Sequence, residues 1–239
     1  MEPIGESSPQ FRARMGGAFY VLMTVSGGIA TLARRGLIVG GNATGTAANI
    51  LAHQSMYVLA FAGDALVVAS YLVVTALFYR MLKPVSRTIS LTAACFSLTG
   101  CIIMGFALTF QLAPLTLLGG ARYLGVFTVP QLQALAYVFL KLYSQAYGVA
   151  LIFFAFYGLL TGYLAFESTF LPRIVGGLMM FSGLVWLSFL SPPFATKYFS
   201  YILVCAAGEA SFALWLLVKG VDATRWTERA TATRIADPF

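Results

Sequence analysis

Charge is scarce in this sequence. Only 10% of its 239 residues are Asp, Glu, Lys or Arg, while 59% are hydrophobic. A soluble domain carries about 25% charged residues. A folded chain of this composition cannot cover its surface in water, which excludes a soluble enzyme and a disordered protein. Histidine is nearly absent, and His53 stands alone. Zinc and haem centres lean on imidazole, so no metal site is expected. There are three cysteines, Cys95, Cys101 and Cys205, all inside apolar runs. They read as small buried hydrophobes, with no disulfide framework. No phosphate-cradling glycine loop, HExxH, CxxC or GxSxG occurs. Nucleotide-driven pumps, common metalloproteases and common serine hydrolases are thereby set aside, and no cofactor is expected.

What is present is long apolar runs. Six reach the roughly 20 residues that a helix needs to cross a bilayer, near 16–33, 56–79, 88–110, 144–166, 171–190 and 198–219. The expectation is an all-α polytopic membrane helix bundle, residues 1–239 forming one integral-membrane domain. Within it, 1–15 and 220–239 are tails and 16–219 the six-span bundle. The first span follows Arg12 and Arg14 but lacks a clean cleavage site, so it reads as a signal anchor.

The net charge of +7 does not point to nucleic acid, because the basic residues sit at the ends of apolar runs, where they set topology. Arg12, Arg14, Arg80, Lys83, Arg87, Arg173, Lys219, Arg225, Arg229 and Arg234 fall on one side. Arg34, Arg35, Arg122, Lys141 and Lys197 fall on the other. This bias places both termini in the cytoplasm and the protein in a bacterial inner membrane. On the outer side, a short helix is expected over Thr46 to Gln54, with Asn42 or Thr44 as its cap. A second longer connection runs from Gln111 to about Tyr143, and its apolar stretch after Pro130, broken by Gln131, Gln133 and Lys141, reads as an interfacial helix lying on the outer surface or feeding span four. Two such elements suggest a roofed cavity, though ordinary loops fit equally well.

Eight acids are present, and only Asp64 and Glu209 fall within apolar spans. A carboxyl group at mid-bilayer is costly even when protonated, which makes both candidates for a functional site. Their settings match: Ala62-Gly63-Asp64-Ala65 and Ala207-Gly208-Glu209-Ala210. A glycine before each acid lets a partner helix or ligand approach closely. The expectation is one cavity shared by both, with each acid stapling two helices as the plainer reading. Tyr71, Tyr147 and Tyr157 lie deep in their spans, where hydroxyls need partners, so they are expected to face inward. With Phe154 they form the candidate ligand-binding set. Tyr79, Tyr123, Trp186, Tyr198 and Trp215 fit interfacial belts. His53 reads as an exposed interfacial residue. Gly158-x-x-x-Gly162 allows close approach of another helix, from this chain or a second copy.

A series of short motifs adds a resemblance. They begin with Arg14-x-Gly16 and Tyr20, then Ala43-Thr44-Gly45-Thr46-Ala47-Ala48-Asn49-Ile50 and Asp64. Phe78-Tyr79-Arg80-Met81-Leu82-Lys83-Pro84-Val85, Tyr147-Gly148 and Gly162-Tyr163-Leu164 follow. Leu171-Pro172-Arg173-Ile174-Val175-Gly176, Gly208-Glu209 and Ala213-Leu214-Trp215-Leu216-Leu217 complete the series. The chain resembles the bacterial membrane proteins grouped as domain of unknown function 4386. Two positions depart from that pattern: Tyr157 stands where members often carry histidine, and no charged residue lies near Ser97. The resemblance implies a multi-span inner-membrane protein and brings no assigned activity.

Four functions fit these features. The first is handling of a lipid-like or isoprenoid molecule in a cavity with two carboxyl groups, since ligand sites are mostly apolar with few fixed polar groups. The second is an enzyme similar to small integral-membrane terpene cyclases, with Asp64 or Glu209 as the catalytic acid and aromatic faces such as Tyr71, Phe154 or Phe156 against the cation. The third is proton-linked transport, and the fourth a structural or regulatory membrane subunit. Membrane lipids are the expected partners, together with a hydrophobic small molecule and a second copy of the chain.

Overall fold

A computed structural model describes residues 8–205 and 207–236, and all of the regular structure there is helical. In chain order the helices are α1 (Pro9–Arg34), α2 (Ala43–Ala52), α3 (Gln54–Leu82), α4 (Arg87–Leu118) and α5 (Val129–Glu167). They continue with α6 (Arg173–Trp186), α7 (Pro192–Lys197), α8 (Phe199–Cys205), α9 (Ala207–Val218) and α10 (Ala223–Ala236). Short 3-10 turns lie at Arg122–Leu124 and Leu187–Leu190. Among the described residues, six helical stretches are long and apolar enough to cross a membrane: α1, α3, α4, α5, Arg173–Leu190 and Phe199–Val218. They mark the chain as a multi-pass membrane protein. Glu2, Glu6 and Asp237 lie outside the described residues, as do the side chains of Cys205 and Arg234.

Helix ends follow local chemistry. Asn42 caps α2, its side-chain oxygen accepting the Gly45 N–H at 2.7 Å. Pro84 follows the end of α3, and Pro172 precedes the start of α6. The second outer helix of the sequence reading is the first part of α5. With 39 residues α5 is about 58 Å long at 1.5 Å per residue, well beyond a hydrocarbon core of about 30 Å.

The helices form two compact units. The first takes in the described residues up to Leu22, Ser70–Gly100 and the described residues from Leu151 on. The second is Met23–Ala69 with Cys101–Ala150.

In the first unit, α5 and α6 meet backbone to backbone. A Cβ on Gly162 would lie 2.5 Å from the Met180 nitrogen, and one on Gly183 would lie 2.7 Å from the Leu159 nitrogen. The Gly158-x-x-x-Gly162 pattern thus serves a contact within this chain. The segment expected to be a plain C-terminal tail holds α10 instead. Its Trp226 indole donates to the Met81 carbonyl at 2.8 Å, and Thr233 donates to that of Pro84 at 2.8 Å. The first bond satisfies a carbonyl that the last turn of α3 leaves open, and the second one in the α3–α4 turn. Gln10 donates to the Lys219 carbonyl at 2.7 Å, and the Asp222 N–H reaches the Phe170 carbonyl at 3.1 Å. One end of this unit therefore gathers the start of α1, the α3–α4 turn, the α5–α6 turn and the α9–α10 turn.

In the second unit, α2 is tied to the start of α5. The Gly41 N–H donates to the Tyr137 hydroxyl at 2.7 Å, and Thr44 donates to Gln133 at 3.1 Å. Leu37, Ile50, Tyr57 and Leu140 pack together there, with Leu115 and Leu118 against them. His53 is exposed, as expected. The cysteine reading needs correction: Cys101 is buried, but Cys95 is exposed. Apolar context in a membrane chain does not separate an inward face from a lipid-facing one.

Candidate functional site

The two intramembrane carboxyl groups belong to different units, each with its own donors. They share no hydrogen-bond partner among the described residues.

Asp64 lies in the second unit and is only 3% exposed. Gly63 brings α3 onto α1: a Cβ there would sit 3.0 Å from both the Ser26 carbonyl and Ala30 Cβ. That approach carries Asp64 to Arg34, the last residue of α1. The guanidinium grips both carboxyl oxygens, Nη1 on Oδ2 and Nη2 on Oδ1, the latter at 3.4 Å. The Tyr143 hydroxyl, from α5, donates to Oδ2 at 3.0 Å. The Arg34 guanidinium also lies 5.4 Å from the Tyr143 ring centroid, within cation–π range. Tyr147 stands beside Tyr143 with ring centroids 6.0 Å apart, and it is half-buried. In the same unit Tyr57 donates to the Gln111 carbonyl at 2.5 Å. The Gln111 side chain is fully buried, and neither end of its amide has a hydrogen-bond partner among the described residues.

Glu209 lies in the first unit and is partly exposed. Gly208 brings α9 onto α6: a Cβ there would sit 2.5 Å from both the Leu178 carbonyl and the Ser182 hydroxyl. Trp186, near the end of α6, donates its indole N–H to Oε1 at 2.7 Å. The Tyr20 hydroxyl, from α1, donates to Oε2 at 3.1 Å. Tyr20 is fully buried and stacks on Phe78 at 5.9 Å, and Phe78 meets Phe212 edge-on at 5.4 Å.

The two centres repeat one device. A glycine seats its helix on two residues four apart, Ser26 and Ala30 for Asp64, Leu178 and Ser182 for Glu209. The next residue in that series, Arg34 or Trp186, then turns an N–H donor onto the acid. A tyrosine hydroxyl from a third helix completes each set. The difference lies in charge. Arg34 neutralises Asp64, whereas both donors on Glu209 are neutral, and no cation pairs with it among the described residues.

The remaining ligand candidates divide between the units. Tyr71, Phe154 and Tyr157 come together in the first: the Tyr71 ring lies 4.1 Å from Phe154 and 5.8 Å from Tyr157, and all three are buried. The space that Tyr157 shares with Thr75, Phe78 and Thr161 is too narrow for a water molecule. Tyr147 belongs to the second unit, and Phe156 is 37% exposed. Sequence reasoning missed Arg34, Tyr143 and Trp186. Arg34 counted only as a topology cation, and Trp186 as a belt residue. The available signal was the rule that an intramembrane acid needs a partner, together with the reach of an arginine at a neighbouring span's end.

No curated protein and no solved structure matches the chain. The model of the family described as Domain of unknown function (DUF4386) matches residues 15–220, from the first turns of α1 through the end of α9, and the chain belongs to that family.

Proposed function

We propose that this membrane protein binds a lipid-like or isoprenoid molecule at Glu209. One observation carries the reading: the Glu209 carboxyl is held in place by two neutral donors, faces no cation among the described residues and is partly exposed. Each oxygen accepts one hydrogen bond and keeps capacity for another. A hydroxyl at the head of an apolar chain would complete that set. Behind it Tyr20, Phe78 and Phe212 pack as a fully buried aromatic cluster that holds the Tyr20 donor rigid. Asp64 takes the plainer role, because its charge is spent on Arg34 and its helix is stapled to α1. A cyclase-like reaction would likewise fall to Glu209, as the acid with no cation on it among the described residues. The bacterial inner membrane is the proposed site, with the basic span ends in the cytoplasm.

The test is thermal unfolding of the purified protein with farnesol, geranylgeraniol and a long-chain polyprenol. Stabilisation that rises with chain length and disappears in Glu209→Leu, but persists in Asp64→Asn, is expected. No stabilisation by any of the three, or equal stabilisation of Glu209→Leu, overturns the reading. Cyclised product from the corresponding diphosphates would extend it to catalysis.

A further inference from the structure

The α5–α6 turn and the α9–α10 turn of the first unit enclose a groove of about 410 Å3, lined by Thr169–Pro172 on one side and by Trp215 and Lys219–Asp222, with Arg225, on the other. Its size falls within the range of roughly 300–1,000 Å3 typical of small-molecule sites. We propose that this groove holds the phosphate of an anionic phospholipid, independently of any ligand at Glu209.

Three features point to that ligand. The first is charge. Lys219 and Arg225 both line the groove, and among the described residues Asp222 is the only acid there. Asp222 already faces Arg225 at 3.5 Å, and Lys219 has no ion pair among the described residues. Arg225 is steadied by donating to the Thr169 carbonyl at 3.3 Å, which fixes one cation at the rim. The second is depth. The groove sits where α9 ends and α6 begins, at the end of the unit where the hydrogen bonds gather the span termini bearing Arg12, Lys83, Arg87 and Arg173. Span ends rich in Lys and Arg lie at headgroup level, and the half-buried Trp215 indole suits that boundary. The third is a track for the acyl chains. Leu214 and Val218 on α9 are 52% and 63% exposed, so a lipid anchored at Lys219 has apolar surface to follow toward the hydrocarbon.

The shared chemistry is a phosphate group, and its source is decided by experiment. The full chain in detergent is titrated with dioleoyl phosphatidylglycerol, with phosphatidylcholine of the same chains and with inorganic phosphate, and bound lipid is counted by native mass spectrometry. The expected result is preferential retention of phosphatidylglycerol, falling about fivefold for each cation removed, in Lys219→Gln and then in Lys219→Gln/Arg225→Gln. Lys219→Arg should restore it, and Lys83→Gln, away from the groove, should leave it unchanged. Since Arg225 also bonds to Thr169, the single Lys219→Gln variant keeps the test valid if the double variant fails to fold. Unchanged preference in Lys219→Gln, an equal loss in Lys83→Gln, or competition by millimolar inorganic phosphate as strong as that of the lipid overturns the proposal.

Discussion

Trp186 donates its indole N–H to one carboxyl oxygen of Glu209 at 2.7 Å. It does so from the turn after Ser182, whose hydroxyl lies against Gly208. Arg34 reaches Asp64 from the turn after Ala30, which lies against Gly63. In both cases the glycine decides how close two helices come, and that spacing brings the donor one turn further along onto the acid. The polar chemistry of these spans therefore depends on positions that carry no polar atom in their side chains.

Removing Arg34 should be more harmful than removing the whole ion pair. Arg34→Leu leaves a carboxylate buried without its cation, a change that costs roughly 3–5 kcal/mol. Arg34→Leu/Asp64→Leu should recover much of that loss. Unfolding in mixed micelles, read as a double-mutant cycle, checks the sign and the coupling.

Tyr143→Phe deletes one hydrogen bond to Asp64 and leaves the ring over Arg34 in place. The expected cost is about 0.6 kcal/mol and no more than about 1.7 kcal/mol, the range for interhelical hydrogen bonds in membranes. The same unfolding assay measures it.

Gly208→Val should separate α9 from α6, because backbone and hydroxyl atoms of Leu178 and Ser182 occupy the space of the new side chain. Trp186 would lose its acceptor, and its fluorescence emission should shift. Gly177→Ala meets nothing within 4 Å and serves as the silent control. An unshifted Gly208→Val spectrum would show that α9 does not rest on α6 in this way.

Thiol labelling distinguishes the two cysteines of α4. In a Cys205→Ser background, membrane-permeant N-ethylmaleimide should modify Cys95, which is exposed, and spare Cys101, which is 3% exposed. Denaturation should bring the count to two by intact-mass analysis.

Much of the fold was legible in the residues themselves. Each expected span overlaps a helix, since a run of apolar residues long enough to cross a bilayer satisfies its backbone only by coiling. A cap at Asn42 or Thr44 was legible because capping is a local contact, and the structure selects Asn42. The candidate site was legible in its acids and not in its donors. Asp64 and Glu209 stand out because charge in a span is rare, whereas Tyr20, Tyr143 and Trp186 are common membrane residues with no mark of their partners.

By itself, the sequence determined a helical, multi-pass membrane protein with two intramembrane acids, each beside a glycine, because composition and run length act locally. Only the tertiary structure decided that Asp64 takes a cation while Glu209 takes two neutral donors, and that the last stretch of chain forms α10 against the α3–α4 turn. Those outcomes depend on which helix each glycine seats its own helix upon. That choice comes from complementarity between surfaces far apart in the chain, which no local pattern records.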